Sequence, residues 1–137
     1  DERTSRRRKI VETLSTIDSM QAVITHRSEL SKKTERYRRK CLEQMYFELS
    51  SMGIRNVTLE SRQEAQNSKD IEHIVALQGQ GQGAGIRLQH VRGGDDPLLW
   101  IPDIVLGALN SVYLGEEQYW DQLHDKVILN RPTPESL

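Results

Sequence analysis

The chain of 137 residues is poor in cysteine, in aromatic residues and in long apolar runs. Its single cysteine, Cys41, excludes an intramolecular disulfide framework and a zinc site built from several cysteines, and it fits a reducing cytoplasm. Aromatic residues make up only 5% of the chain and apolar residues 36%, so a core must rest on a few strongly patterned elements. The longest apolar run, residues 98–109, is interrupted by Pro102 and Asp103 and is too short to cross a bilayer. We therefore expect a soluble cytoplasmic protein without a membrane partner.

Charge is distributed unevenly along the chain although the net charge is −1. Residues 1–40 hold 12 Lys and Arg against 6 Asp and Glu, whereas residues 41–137 hold 7 against 14. This asymmetry is typical of a phosphate-binding flank beside an acidic site that attracts cations. Two helix faces that are simply solvated would give the same pattern, so both interpretations remain open.

Hydrophobic patterning predicts helices that alternate with strands, with a loop at 61–69, a flexible linker at 78–85 and a tail at 131–137. Ser68 or Asp70 is expected to cap the third helix. This alternation predicts an α/β fold of three layers, a mainly parallel sheet flanked by helices, in a single domain over residues 1–130. The predicted helices are 3–17, 32–52, 70–77, 96–114 and 117–123, and the predicted strands are 20–25, 54–59, 86–91 and 127–129.

The helix predicted at 96–114 is the most apolar element, and it carries one carboxylate, Asp103. Asp103 shares a narrow stripe with Gly107 and Asn110, at positions i, i+4 and i+7. One interpretation is an acid that faces the positive end of the helix dipole, which stabilises by a few tenths to about 1 kcal/mol. The other is a metal-binding or catalytic carboxylate presented from a buried helix.

Basic side chains crowd the first turns of the first predicted helix, where the helix dipole disfavours cations. This placement indicates a role other than helix stability, and we expect either contact with nucleic-acid phosphates or interaction with an upstream segment. Other basic residues lie on the outer face of the second helix or follow the second strand. Our candidate nucleic-acid contacts are Arg6, Arg7, Arg8, Lys9, Arg36, Arg39 and Arg62.

Three carboxylates form a candidate metal-binding and catalytic group: Glu60 after a strand, Asp70 at a helix start and Asp103 in the late helix. Mg²⁺ and Mn²⁺ need several oxygen ligands, which carboxylates from separate elements supply. Two such ions about 3.5–4 Å apart activate water and stabilise the leaving oxygen in phosphodiester cleavage. If the group exists, we expect the carboxylates of Glu60 and Asp103 within about 8 Å of each other.

The run LLWIPDIVLGAL at 98–109, LESR at 59–62 and RYRRKCLEQM at 36–45 resemble the domain-of-unknown-function family 3800. The family has an Asp in a late helix, in the pattern I-x-D-x-x-x-G-A, and an acid at the end of a central strand. Ile101, Asp103, Gly107 and Ala108 match the first feature and Glu60 matches the second. The resemblance covers most of the chain.

This resemblance implies a ribonuclease H-like fold and a divalent-metal-dependent nuclease or nucleic-acid-processing domain that uses Mg²⁺ or Mn²⁺. The family opens with a strand that carries a further acid, whereas this chain starts with a predicted helix. We therefore expect the C-terminal part of a larger domain or a protein that has lost the site. The alternative function is a non-catalytic interaction domain, in which an open sheet edge and the acidic C-terminal half serve self-association or bind protein partners.

The remaining polar and aromatic candidates each allow a structural interpretation. Four histidines lack metal-ligand spacing, and only His26 and His90 lie near strand ends. Arg62 would pair with Glu60 or hold a phosphate. Trp100 would stack on bases or pack in the core, as would Tyr119 and Trp120.

Overall fold

The computed structural model describes residues 2–26 and 33–134, and these form an α/β arrangement of five α-helices and four short strands. The helices are α1 (Glu2–Thr16), α2 (Thr34–Ser51), α3 (Glu64–Gly79), α4 (Trp100–Tyr113) and α5 (Gln118–Leu123). The strands are β1 (Gln21–Thr25), β2 (Asn56–Glu60), β3 (Arg87–Val91) and β4 (Val127–Pro132). The predicted α/β class is confirmed. Within the described part of the chain, no helix is long and apolar enough to span a membrane.

The described strands form two separate two-stranded sheets, β1 with β4 and β2 with β3, and not the one larger sheet that the alternation predicted. β2 and β3 are parallel, with Leu59 opposite His90 and Glu60 opposite Val91. Parallel pairing across α3 is what a strand–helix–strand unit requires. The predicted three-layer single sheet is therefore not formed by the described strands, and the ribonuclease H-like fold stays a prediction.

The chain divides into two compact units, and each has its own core. Unit 1 comprises Asp1–Val23 and Pro97–Asn130, and unit 2 comprises Ile24–Asp96 and Arg131–Leu137. The unit 1 core joins α1, α4 and α5 through buried Val11, Leu14, Val23, Val105, Ala108, Tyr119 and Leu123. The unit 2 core joins α2, α3 and the β2–β3 sheet through buried Leu42, Tyr46, Val57, Ile74, Leu77 and Ile86.

Helix α3 begins at Glu64, six residues before the expected start at Asp70, so the loop predicted at 61–69 is largely helical. The side chain of Gln66 accepts a hydrogen bond from the backbone N–H of Gln63 at 3.3 Å, and that of Asn67 accepts one from the backbone N–H of Arg62 at 2.9 Å. These bonds provide the helix start that the sequence analysis assigned to Ser68 or Asp70. The longer helix places Asp70 in its second turn with its side chain in the core of unit 2, where it is 3% exposed.

The other boundaries agree with the sequence, with small shifts. Strand β4 runs to Pro132, so the predicted tail at 131–137 begins inside a strand. The predicted helix start at residue 32 and the tail residues 135–137 lie outside the described residues. The apolar composition of the helix predicted at 96–114 gives α4 a buried stripe, in which Val105 and Ala108 are buried and Ile101, Ile104 and Leu109 pack against the same core.

Candidate functional site

A groove of about 530 Å³ lies between α1 and α4 in unit 1, and it combines cationic, aromatic and apolar side chains. Arg3, Arg6 and Arg7 line it from α1, at the i, i+3 and i+4 spacing that places side chains on one helix face. Trp100 lines it from α4, and its side chain is 54% exposed. Apolar side chains complete the lining and include Ile10, Val11, Ile104 and Ala108.

Two of the predicted phosphate contacts, Arg6 and Arg7, therefore face the groove, whereas Arg8 does not line it. Arg7 also lies over the ring of Tyr119, 5.6 Å from the ring centroid, which gives it a cation–π contact. Tyr119 itself is buried, as its structural interpretation predicted, while Trp100 is exposed. The sequence missed Arg3 as a groove residue, although its spacing from Arg6 and Arg7 is the relevant signal.

Asp103 lies in the first turn of α4, is exposed, and lines the same groove. Within the described residues it has no ion pair or side-chain hydrogen bond. This position agrees with an acid near the positive end of the helix dipole. It also leaves the carboxylate oxygens accessible to a ligand in the groove.

A second polar group surrounds Asp70 in unit 2, and we call it the Asp70 cluster: Glu35, Arg38, Arg62, Asp70 and His90. One oxygen of Asp70, Oδ1, accepts a hydrogen bond from Nη1 of Arg38 at 2.6 Å and another from Nη2 of Arg62 at 3.2 Å. The other oxygen, Oδ2, lies 2.9 Å from Nε2 of His90, which donates because a carboxylate only accepts. Arg62 also binds Glu35 through Nη1. One buried carboxylate thus joins α2, the loop after β2, α3 and β3.

Burial and neighbouring charges shift the pKa values of groups in and around the Asp70 cluster. Burial and the negative charge of Asp70 raise the pKa of Tyr46 to about 12, and the Tyr46 hydroxyl has no hydrogen-bond partner among the described residues. The hydrogen bond from Arg62 holds the pKa of the Glu35 carboxyl below its usual value. Nε of Arg62 is buried without a partner in the described part of the chain. A buried polar atom without a partner is energetically costly, so these two atoms reduce the stability that the network contributes.

Glu60 does not join this cluster. Successive side chains of a strand point to opposite faces, so Glu60 and Leu59 face opposite sides of the sheet. Leu59 packs toward the unit 2 core, and its partner His90 binds Asp70 on that side. The exposed Glu60 carboxylate instead lies against Gly93, where an added Cβ would meet Oε1 at 2.2 Å.

The three predicted metal ligands are therefore distributed between the two units, with Glu60 and Asp70 in unit 2 and Asp103 in unit 1. No group of three or more His, Cys, Asp or Glu side chains that could hold a metal ion exists among residues 2–26 and 33–134. Both oxygens of Asp70 already accept N–H donors, so a metal ion would compete with them. The metal site and the 8 Å separation of Glu60 and Asp103 stay predictions.

The other candidates have structural surroundings. Arg36 and Arg39 are exposed on α2, and Arg62 pairs with Glu35 and Asp70 and not with Glu60. His26 stacks on Tyr37 with ring centroids 4.7 Å apart. Burial raises the pKa of the Cys41 thiol, which disfavours the reactive thiolate. The sequence gave no signal for the pairing of His90 with Asp70, because the two residues meet only through the packing of α3 on β3.

Comparison with known proteins gives no further assignment. The chain matches no protein-family model, no curated protein and no solved structure. The resemblance to the domain-of-unknown-function family 3800 therefore stays a prediction from the motifs in the chain.

Proposed function

We propose that this chain is a nucleic-acid-processing domain that binds a single-stranded segment in the groove between α1 and α4. The observation that carries this proposal is the convergence of Arg3, Arg6 and Arg7 with an exposed tryptophan on one groove. Single-stranded nucleic acids are held by cationic side chains that track the phosphates and by aromatic rings on which bases stack. In this arrangement the apolar side chains of the groove contact the base faces and the arginines contact the phosphates.

Binding should be tested by fluorescence anisotropy with a labelled single-stranded oligonucleotide over a range of salt concentrations. Removing one phosphate contact by Arg6→Gln is expected to lower the magnitude of the salt slope by about 0.7. Arg8 lies on the same helix but does not line the groove. Arg8→Gln therefore removes the same charge and should change the salt slope less than Arg6→Gln does. Equal effects of the two substitutions would show that binding follows the charge of the helix and not the groove.

Trp100 supplies a second test of the same site. Stacking of a base on an aromatic ring contributes about 1–3 kcal/mol, so Trp100→Ala is expected to weaken binding by about 5- to 150-fold. Saturable quenching of tryptophan fluorescence by the oligonucleotide should disappear in this variant. Affinity that is unchanged in Trp100→Ala would contradict base stacking at the groove. Absence of any nucleic-acid binding would favour a protein partner that packs against the apolar side chains of the groove.

Metal-dependent phosphodiester cleavage is the catalytic form of this proposal. It is favoured by the exposed carboxylate of Asp103, which lines the groove. Asp103 would then be a ligand of Mg²⁺ or Mn²⁺, which would activate water and stabilise the leaving oxygen. Calorimetric titration with Mn²⁺ should show saturable binding to the wild type that Asp103→Asn abolishes. Nucleic-acid binding without metal binding or cleavage would support the non-catalytic interaction domain.

A further inference from the structure

A second cavity, with a volume of about 550 Å³, lies along α1 and the start of α4 in unit 1, and we call it the apolar trough. Most of its lining is apolar, and three of the lining residues, Ile10, Ile17 and Leu98, are 42%, 42% and 69% exposed. Exposed apolar side chains gathered on one surface are typical of a binding groove, whereas scattered ones need no explanation. Small-molecule sites are mostly apolar clefts of this size.

The charged side chains of the trough are both cations. They are Arg6 and Lys9, which are exposed on α1 and about one turn apart, and neither forms an ion pair within residues 2–26 and 33–134. Among the described residues no acid lines the trough, whereas Asp103 lines the neighbouring groove. Thr13, which also lines the trough, donates its hydroxyl to the backbone carbonyl of Lys9 at 2.8 Å. An anionic group is therefore the electrostatic complement of this lining.

The two cations lie toward one end of the trough. Arg6 and Trp100 also line the groove described above, so the trough and the groove meet at this end. The opposite end is lined by Ile17 and Leu98, which do not line the groove. Lys9 and Ile17 are eight residues apart, which corresponds to about 12 Å along the helix axis. A mostly apolar surface of this length therefore extends from a cationic end.

We propose that the apolar trough binds a long-chain carboxylate, with its carboxylate at Arg6 and Lys9 and its hydrocarbon chain extended along α1 toward Ile17. The carboxylate accepts charge-assisted hydrogen bonds from the two cations, and the chain removes exposed apolar side chains from water. A ligand with one anionic end and one apolar end matches both features at once. The proposal does not rest on nucleic-acid binding, because Lys9 and Ile17 line the trough and not the groove.

The proposal is tested by calorimetric titration of the full chain with dodecanoate below its micelle concentration. We expect saturable binding with a Kd on the order of 100 μM, which is typical of one hydrocarbon chain on an apolar surface. Dodecyltrimethylammonium has the same chain with the opposite charge, and butanoate has the same anionic group with a short chain. Both should bind at least about tenfold more weakly. Absence of dodecanoate binding, or equal affinity for the two long-chain probes, would overturn the proposal.

Matched variants locate the two ends of the ligand. Ile17→Gln places an amide at the apolar end and should weaken dodecanoate binding about tenfold. Its control is Leu106→Gln, because Leu106 is 45% exposed in the same unit but lines neither cavity, and it should change the affinity less than twofold. Lys9→Gln should weaken dodecanoate binding by up to about fivefold, and Arg8→Gln, outside the trough lining, should weaken it less. Equal losses in Ile17→Gln and Leu106→Gln would overturn the proposal.

Two further measurements need no ligand-binding variant or detect another occupant. Trp100 lines the trough and is 54% exposed, so dodecanoate should shift the tryptophan emission of the wild type saturably, with the Kd found by calorimetry. Emission that stays unchanged at saturating dodecanoate would overturn the proposal. Sedimentation velocity should give the same oligomeric state for the wild type and Ile17→Gln. A wild-type dimer that Ile17→Gln dissociates and Leu106→Gln does not would assign the trough to a second copy of the chain and also overturn the proposal.

Discussion

Asp70→Asn measures how strongly unit 2 depends on its buried carboxylate. The substitution preserves the shape of the side chain but replaces one acceptor by an NH₂ group and removes the charge that Arg38 and Arg62 share. Removing one partner of a buried ion pair costs about 3–5 kcal/mol, because the other partner remains charged and unpaired. The two arginines are 28% and 22% exposed, so water restores part of this loss. We therefore expect the free energy of unfolding to fall by about 3 kcal/mol.

The assay is urea denaturation followed by far-ultraviolet circular dichroism. Both tryptophans, Trp100 and Trp120, lie in unit 1, so tryptophan fluorescence would not report directly on unit 2. With a slope of about 2 kcal/mol per molar urea, a loss of about 3 kcal/mol moves the midpoint down by about 1.5 M.

Asp103→Asn is the matched control, since it makes the same chemical change at an exposed carboxylate in the first turn of α4. Its expected cost is about 0.3–1 kcal/mol, from the lost interaction with the helix dipole. A midpoint for Asp70→Asn no lower than that of Asp103→Asn would refute the reasoning, because Arg38, Arg62 and His90 would then be satisfied by water.

Other substitutions test single features of the two units. Tyr46→Phe should leave the free energy of unfolding unchanged or raise it by up to about 1 kcal/mol in urea denaturation, because the buried hydroxyl has no partner among the described residues. Burial raises the pKa of Tyr46 from 10.0 to about 12, so only the unfolded chain ionises this group in that interval. Folding stability should therefore fall as pH rises from about 10 to 12, by about 2–3 kcal/mol more in the wild type than in Tyr46→Phe. Gly107→Ala should stabilise α4 by about 0.5–1 kcal/mol in thermal denaturation, because nothing lies within 4 Å of the added Cβ. Gly83→Ala should destabilise the protein by about 1–2 kcal/mol, because the φ of Gly83 is +62° and Ile74 Cδ1 lies 3.2 Å from the added Cβ. Melting temperatures that shift in the same direction in Gly107→Ala and Gly83→Ala would contradict these two predictions.

The elements that could be predicted best are those whose signal is local. The apolar spacing of Val105 and Ala108 predicts the buried face of α4, because residues one turn apart on a helix meet the same neighbour. Gly53 follows α2 with φ +76°, as a residue that ends a helix in a left-handed conformation does. The polar composition of residues 61–69 predicted a loop, but most of this segment is helical. The side chains of Gln66 and Asn67 start the helix by accepting hydrogen bonds from the backbone N–H groups of Gln63 and Arg62.

In the candidate sites, too, features with a local sequence signal could be predicted and contacts between distant residues could not. The crowding of basic residues in the first turns of α1 predicted candidate phosphate contacts, and of these the groove between α1 and α4 contains Arg6 and Arg7 but not Arg8. Glu60 and Asp70 are ten positions apart and both are acidic, but β-strand alternation and the start of α3 place them on different sides of the β2–β3 sheet. His90 was named only for its position near a strand end.

The sequence by itself determined most of the secondary-structure elements, the α/β class and the basic cluster at the start of α1, because each depends on residues within one or two turns of one another. Only the tertiary structure decided that Asp70 is buried against two arginines and a histidine, and that Glu60 lies apart from them. Asp70 in α3 contacts the loop after β2, strand β3 and helix α2, through residues that are 8, 20 and 32 positions away from it. No local pattern encodes such a contact, since it arises from how the apolar faces of separate elements pack and from the need of a buried charge for partners.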